Sequence, residues 1–194
     1  MRVKAIGLLL ALIVAAGSVA QATVVVPADL KKLATSAQAI ARGRVTAVRS
    51  QWAATGQRIE TVVTLEVASY LKGNLGAQFI FRVPGGKVGY LRSVTLGAPE
   101  LRQGDEVVVF VDASGPAIPH VVGFNQGVFH VSRDPASGQR VVASPLVTVN
   151  VRGSRQITRG DSARKPIALD EFEQQIRALV DTGEPLNAAR PRRR

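Results

Sequence analysis

The stretch Arg82–Val111, RVPGGKVGYLRSVTLGAPELRQGDEVVVFV, holds two strands and a long excursion between them. Phe79, Phe81 and Val83 alternate with Gln78, Ile80 and Arg82, the period-two pattern of a strand with one buried face. Pro84 cannot donate to a ladder, and Gly85-Gly86 permits backbone angles closed to other residues, so the first strand is expected to stop there. Val107–Val111 (VVVFV) is apolar at every position and follows the turn residues Gln103-Gly104-Asp105. Such a run reads as a strand covered on both faces. The connection between them, about twenty residues, exceeds the usual span in a compact domain, and loops of that length are usually functional or disordered. Val88, Tyr90, Leu91, Val94 and Leu96 argue against disorder and predict a short extra strand near 91–96.

Outward from this stretch the same pattern recurs. On the N-terminal side, Ile59–Leu71 places Ile59, Thr61, Val63, Leu65, Val67 and Leu71 on one face, with Arg58, Glu60, Thr64 and Glu66 on the other. Strands of this length bend around a barrel more readily than they lie flat. Arg44–Trp52 is a further strand. Before it, Leu30, Leu33, Ala34, Ala37 and Ile40 form a 3.6-residue stripe that Asp29 caps and Gly43 ends, predicting a helix from 29 to 41. On the C-terminal side, His120–Phe124 and Val128–Ser132 read as a hairpin about Asn125-Gln126-Gly127, and the chain returns through Arg140–Ala143. Val147–Val151 is a weak further strand. Phe172, Ile176, Leu179 and Val180 mark a second amphipathic helix over 169–180.

Strands at roughly ten-residue spacing point to a mainly β protein, a small antiparallel OB-like barrel or sandwich flanked by an N-terminal and a C-terminal helix. The expected organisation is a signal peptide over 1–22, a barrel-like domain with its helix over 23–152, a polar linker over 153–166, a helix over 167–182 and a disordered basic tail over 183–194. Arg2 and Lys4, the apolar run Ala5–Ala16 and the Ala20-Gln21-Ala22 cleavage motif carry the expectation of export, making the chain secreted or periplasmic. The apolar run is too short for a comfortable membrane span, so no transmembrane segment is expected after cleavage.

Two groups of segments carry resemblances. Ala39–Val45 (AIARGRV), Val67–Gly73 (VASYLKG), Val83–Gly89 (VPGGKVG) and Gly104–Val111 (GDEVVVFV) resemble a group of exported bacterial proteins with no established activity. The order of an A-x-G-x-V segment, a long strand ending in Lys-Gly and a Gly-Asp-x-Val strand is similar to netrin-module and tissue-inhibitor-like OB barrels. Those families are stapled by cysteines, which this chain lacks, so the likeness implies topology and not protease inhibition.

Zero cysteines exclude disulfides and thiol chemistry. The net charge is +11, and loss of Arg2 and Lys4 with the leader lowers it to +9. Gly85-Gly86-Lys87 is not a phosphate loop: Phe81 stands where a glycine is needed, Val88 where Ser or Thr is needed, and no helix follows. Ser162-Ala163-Arg164-Lys165 spells S-x-x-K, yet Pro166 opposes the helix that motif requires, and its partner motifs are missing. Arg159-Gly160-Asp161 is a chance tripeptide in the same polar segment. Glu60 and Glu66 are about 20 Å apart along one strand, too far for a glycosidase pair. His120 and His130 share a face within about 8 Å if the hairpin loop has three residues, and lie on opposite faces if it has two. Asp134 is the one candidate third ligand, so no metal and no cofactor are expected.

Two binding candidates remain. The first is the 84–104 excursion, where Lys87, Tyr90, Arg92 and Arg102 sit among Gly85, Gly86 and Gly89. The second is the tail, whose Arg190, Arg192, Arg193 and Arg194 suit an anionic polymer or acidic surface. The function expected is an exported, non-catalytic module binding an envelope or extracellular protein or an anionic polymer. The alternatives are a hydrolase with its site in the 84–104 loop and a structural envelope protein. Specific nucleic-acid binding is disfavoured by the leader and by an aromatic content of 5%.

Overall fold

The computed structural model describes residues 29–115, 117–143 and 166–182. Ten strands and two helices lie within them: α1 (Leu30–Ser36), β1 (Ala39–Trp52), β2 (Ile59–Lys72), β3 (Gln78–Pro84), β4 (Gly86–Val88), β5 (Leu91–Ser93), β6 (Glu106–Asp112), β7 (His120–Val121), β8 (Val128–Arg133), β9 (Arg140–Ala143), β10 (Ile167–Ala168) and α2 (Leu169–Thr182). The protein is mainly β. Eight strands form one sheet in the order β1-β2-β3-β7-β6-β8-β9-β10, and β4 and β5 pair only with each other. β1 also pairs with β6, Ala39 opposite Val111 through Arg44 opposite Glu106, so the large sheet partly closes on itself.

Alternation builds these strands. In β2, Ile59, Thr61, Val63 and Leu65 are buried while the residues between them are partly exposed. The continuous apolar run of β6 has a different cause. Val107, Val109 and Val111 pack with Val63, Leu65, Phe81 and Val83 on the inner face of the curled sheet. Val108 and Phe110 point the other way, into a second cluster with Leu33 of α1 and Phe172 and Ile176 of α2. One strand thus serves two cores, each fully buried side chain contributing about 1.5–3 kcal/mol.

The helices flank the strands. Asp29 caps α1 by accepting from the Lys32 amide at 2.6 Å. The Lys72 ammonium closes its other end, donating to the Ala34 carbonyl at 2.8 Å; burial of that ammonium lowers its pKa. α2 is held by rings: Phe110 to Phe129 at 5.5 Å between centroids, and Phe129 to Phe172 at 4.8 Å. No described helix is long and apolar enough to cross a membrane.

Three expectations are corrected. The first helix ends at Ser36, not 41, and β1 begins at Ala39 rather than Arg44. Ala37 and Ile40 are buried as the helical stripe required, yet Ile40 is spent on pairing with Phe110. Gly43 lies inside β1, where a Cβ would strike the Glu66 carbonyl oxygen. The hairpin about Asn125 does not form. β7 and β8 both run antiparallel to β6, with Asp112 opposite His120 and Val107 opposite His130, and a 3-10 turn over Phe124–Gly127 bulges between them. The extra strand near 91–96 is shorter, Leu91–Ser93. The leader, the Val147–Val151 strand, the Ser162–Lys165 and Arg159–Asp161 motifs and the basic tail lie outside the described residues, as does the polar linker apart from Pro166.

Candidate functional site

The excursion leaves the sheet through Gly85-Gly86. Gly85 has φ +89° and Gly86 φ +135°, both closed to ordinary side chains. A Cβ on Gly86 would fall against the hydroxyls of Ser50 and Thr61, so only glycine lets the chain pass this close. The Gly85 amide donates to the Ile59 carbonyl at 3.0 Å, and the Thr61 hydroxyl donates to the Gly85 carbonyl at 2.8 Å. With its single hydrogen so used, Thr61 accepts from Ser50 across 3.0 Å. These bonds anchor the root of the excursion to β2, and through Thr61 to Ser50 of β1.

Beyond the root, β4 and β5 make a two-stranded hairpin with Gly86 opposite Ser93, Lys87 opposite Arg92 and Val88 opposite Leu91. Gly89, at φ +58°, and Tyr90 form its turn. Opposed residues share a face, so Lys87 and Arg92 stand together on one side, and Val88 and Leu91 on the other. Like charges facing each other repel, and neither base forms an ion pair among the described residues.

The loop after β5 turns back at Thr95, whose carbonyl accepts from Ala98 at 3.1 Å. The Asn125 amide binds the Gly97 carbonyl at 2.8 Å and pins the loop to the 3-10 turn. Pro99 is buried and Leu101 packs on the inner core, so the far half of the excursion is structural. In the near half Gly85 is buried and Val88 half-buried, but most of the large apolar side chains stand out. Tyr90 is 104% exposed, Leu91 58%, Val94 72% and Leu96 73%.

The seven residues singled out in the excursion therefore divide. Gly85 and Gly86 form the root, Gly89 and Tyr90 the tip, and Lys87 and Arg92 one face of the hairpin. Arg102 is elsewhere: its amide binds Asp105 Oδ2 at 2.8 Å in the turn before β6, where Gly104 donates to the Val45 carbonyl. Val45 and Ser50 are five residues apart on β1, about 17 Å. Arg190, Arg192, Arg193 and Arg194 lie outside the described residues. The exposed aliphatic residues escaped sequence reasoning because, in a stretch without periodicity, nothing separates packed from solvent-facing positions.

The two histidines do not meet. His120 sits opposite Asp112 and His130 opposite Val107, five residues apart on β6 and so about 17 Å from each other. His120 comes within 3.9 Å of Asp112, and His130 within 3.9 Å of Asp105. No set of three His, Cys, Asp or Glu able to hold a metal occurs among the described residues. Two shallow depressions, about 300 and about 220 Å³, are lined by Val67–Tyr70 with Asn74, Gly76 and Ala77, and by Ala47, Arg49, Gln51, Val62 and Thr64. Neither lining contains a carboxylate or an imidazole.

Comparison with known proteins finds no matching family model, no matching curated protein and no matching solved structure.

Proposed function

We propose that the chain is an exported, non-catalytic binding module, secreted or periplasmic, built as an OB-like barrel whose contact surface is the β4–β5 hairpin and the loop to Leu96. The barrel reading is supported by the ring of pairings β1-β2-β3-β7-β6 and back to β1, with Arg82 of β3 meeting His120 of β7 in parallel. It agrees with the resemblance to netrin-module barrels. The observation that carries the binding reading is the exposure of Tyr90 and Leu91 at the end of a firmly rooted hairpin, with Val94 and Leu96 also exposed in the loop that follows it. Single exposed apolar residues are ordinary, whereas several within one short excursion favour a contact surface. The hydrolase alternative would be supported by Lys87, Tyr90 or a nearby carboxylate lining a closed pocket; Lys87 and Tyr90 are exposed.

Hydroxyl-radical footprinting of the mature chain, with and without envelope fractions, tests this reading. Protection at Tyr90, Leu91 and Leu96 is expected. Unchanged labelling there, with protection elsewhere or nowhere, overturns it.

One observation favours the structural alternative as a second reading. The outer edge of β3 is paired only at Arg82 among the described residues, leaving Gln78 and Ile80 as a short open edge. Sedimentation showing concentration-dependent association that an Ile80→Lys change abolishes would favour it; a monomer at high concentration would not.

A further inference from the structure

We propose that the β4–β5 hairpin seats the protein on an anionic phospholipid surface, its apolar side and tip entering the interfacial layer while Lys87 and Arg92 engage headgroup phosphates. The inference rests on the hairpin being the contact surface and names what that surface meets.

The argument begins with charge. Residues 84–99 contain Lys87 and Arg92 and no aspartate or glutamate. The two bases face each other across the hairpin without an acidic partner among the described residues. An anion placed between them turns their mutual repulsion into two attractive, charge-assisted hydrogen bonds. A phosphodiester presents that charge on two accessible oxygens.

Polarity then separates a lipid surface from a soluble anion. Val88, half-buried, and Leu91, exposed, oppose each other on the face away from the bases, and Tyr90 projects from the tip fully exposed. Val94 and Leu96 are exposed as well, in the loop that follows β5. A free phosphate would use the bases and leave these side chains in water. At a membrane both faces are satisfied together: apolar residues below, bases at the phosphate level, and a phenol whose ring is apolar and whose hydroxyl stays wet. A protein partner would need a groove matching a narrow two-stranded tip, whereas a lipid surface conforms to it.

Rigidity completes the argument. The Gly85–Ile59 and Thr61–Gly85 hydrogen bonds hold the root, so seating the hairpin orders little new chain. A single small insertion gives marginal, reversible binding, and basic charge near the surface adds to it. Arg190, Arg192, Arg193 and Arg194 are a second source of such charge, and the test separates them from the hairpin.

The experiment is flotation of the mature chain, Thr23–Arg194, with vesicles of equal parts phosphatidylglycerol and phosphatidylcholine and with phosphatidylcholine alone. The wild-type chain should float with the anionic vesicles and stay behind with the neutral ones. The pair Tyr90→Ser and Leu91→Ser, and separately the pair Lys87→Gln and Arg92→Gln, should each weaken flotation by about tenfold or more. All four side chains are exposed, so the variants should keep the wild-type circular dichroism spectrum. A chain ending at Ala189 should bind more weakly yet still lose binding on the hairpin changes. Flotation untouched by both hairpin pairs, or abolished by tail removal alone, overturns the proposal. Absence of flotation together with footprint protection of the hairpin also overturns it while leaving the binding-module reading standing. Absence of both removes the two together.

Discussion

The Arg42 guanidinium donates through Nε to Glu173 Oε1 at 2.8 Å, joining β1 to the C-terminal helix across 131 positions of chain. Its Nη1 reaches Glu106 of β6 at 3.0 Å, and Arg140 of β9 and Arg177 of α2 complete the network. Burial alone would lower the Arg42 pKa, but the hydrogen bonds to Glu173 and Glu106 outweigh it and hold the group above its ordinary value. Glu173 is 8% exposed, so its charge is not solvated by water and depends on these partners.

Replacing Glu173 with Gln should therefore destabilise the fold by about 1–3 kcal/mol, because a half-buried guanidinium exchanges its charged acceptor for a neutral one. Arg177→Ala removes a half-exposed i,i+4 partner but leaves Glu173 its bond to Arg42, and should cost under about 1 kcal/mol. Urea unfolding midpoints check both, with an unchanged m-value expected. Equal losses in the two variants would show that Arg42–Glu173 is no more than a surface contact.

Asp112 is held below the usual carboxylate range first by the Ser114 hydroxyl and then by the Ser114 amide at 2.8 Å. Asp134 is held low in the same sense by the Ala136 amide at 3.0 Å and the Ser137 hydroxyl at 2.8 Å. Folded-state values below the unfolded value of about 3.9 mean that both groups contribute stability above about pH 4. That contribution is lost as the pH falls through the folded-state values. Carboxyl-carbon NMR titration should place both below the ordinary range, and Ser114→Ala should return Asp112 alone toward it. Asp134 serves as the internal control.

The direction of the β3 amides follows from three bonds. Gly85 donates to Ile59 and Ala77 accepts from Val67, both toward β2, whereas Arg82 donates to Pro119 on the other side. Alternation then turns Phe79 and Phe81 toward β2 and Ile80 toward the open edge. In hydrogen exchange the Ile80 amide should be far faster than its neighbours Phe79 and Phe81. Slow exchange of Ile80 in dilute solution would mean that the edge is covered.

Gly43→Ala should destabilise the protein by about 1–3 kcal/mol, as overpacking does when the obstacle cannot yield. The added Cβ would meet the Glu66 carbonyl oxygen and lie 2.9 Å from Leu65 Cγ. Thermal unfolding by calorimetry measures it. A neutral change would show that β1 can move away from β2 at this point.

Much of the fold was legible in the residues themselves. The alternation in β2 and β3, the continuous run of β6, the 3.6-residue stripe of α2 and the Asp29 cap were all readable because each reports a face turned toward or away from water. Ala37–Gly43 was not readable in this way, since Ile40 and Ala41 fit a helical stripe as well as a strand. Pairing with Phe110 and Val109 of β6, about seventy positions on, overrode the local pattern. The turn at Phe124–Gly127 misled for the same reason, because its flanking strands pair with β6 rather than with each other. At the hairpin, Gly85, Gly86, Lys87 and Arg92 were evident, but the facing of Lys87 and Arg92 and the exposure of Leu91, Val94 and Leu96 were not. Outside Ala37–Gly43, order along the chain settled which of these segments extend, which coil and which faces prefer burial, since these depend on side chains a few positions apart. The partner of each strand and the fate of each apolar loop residue were settled by the folded whole, because they depend on contacts between residues far apart in the chain.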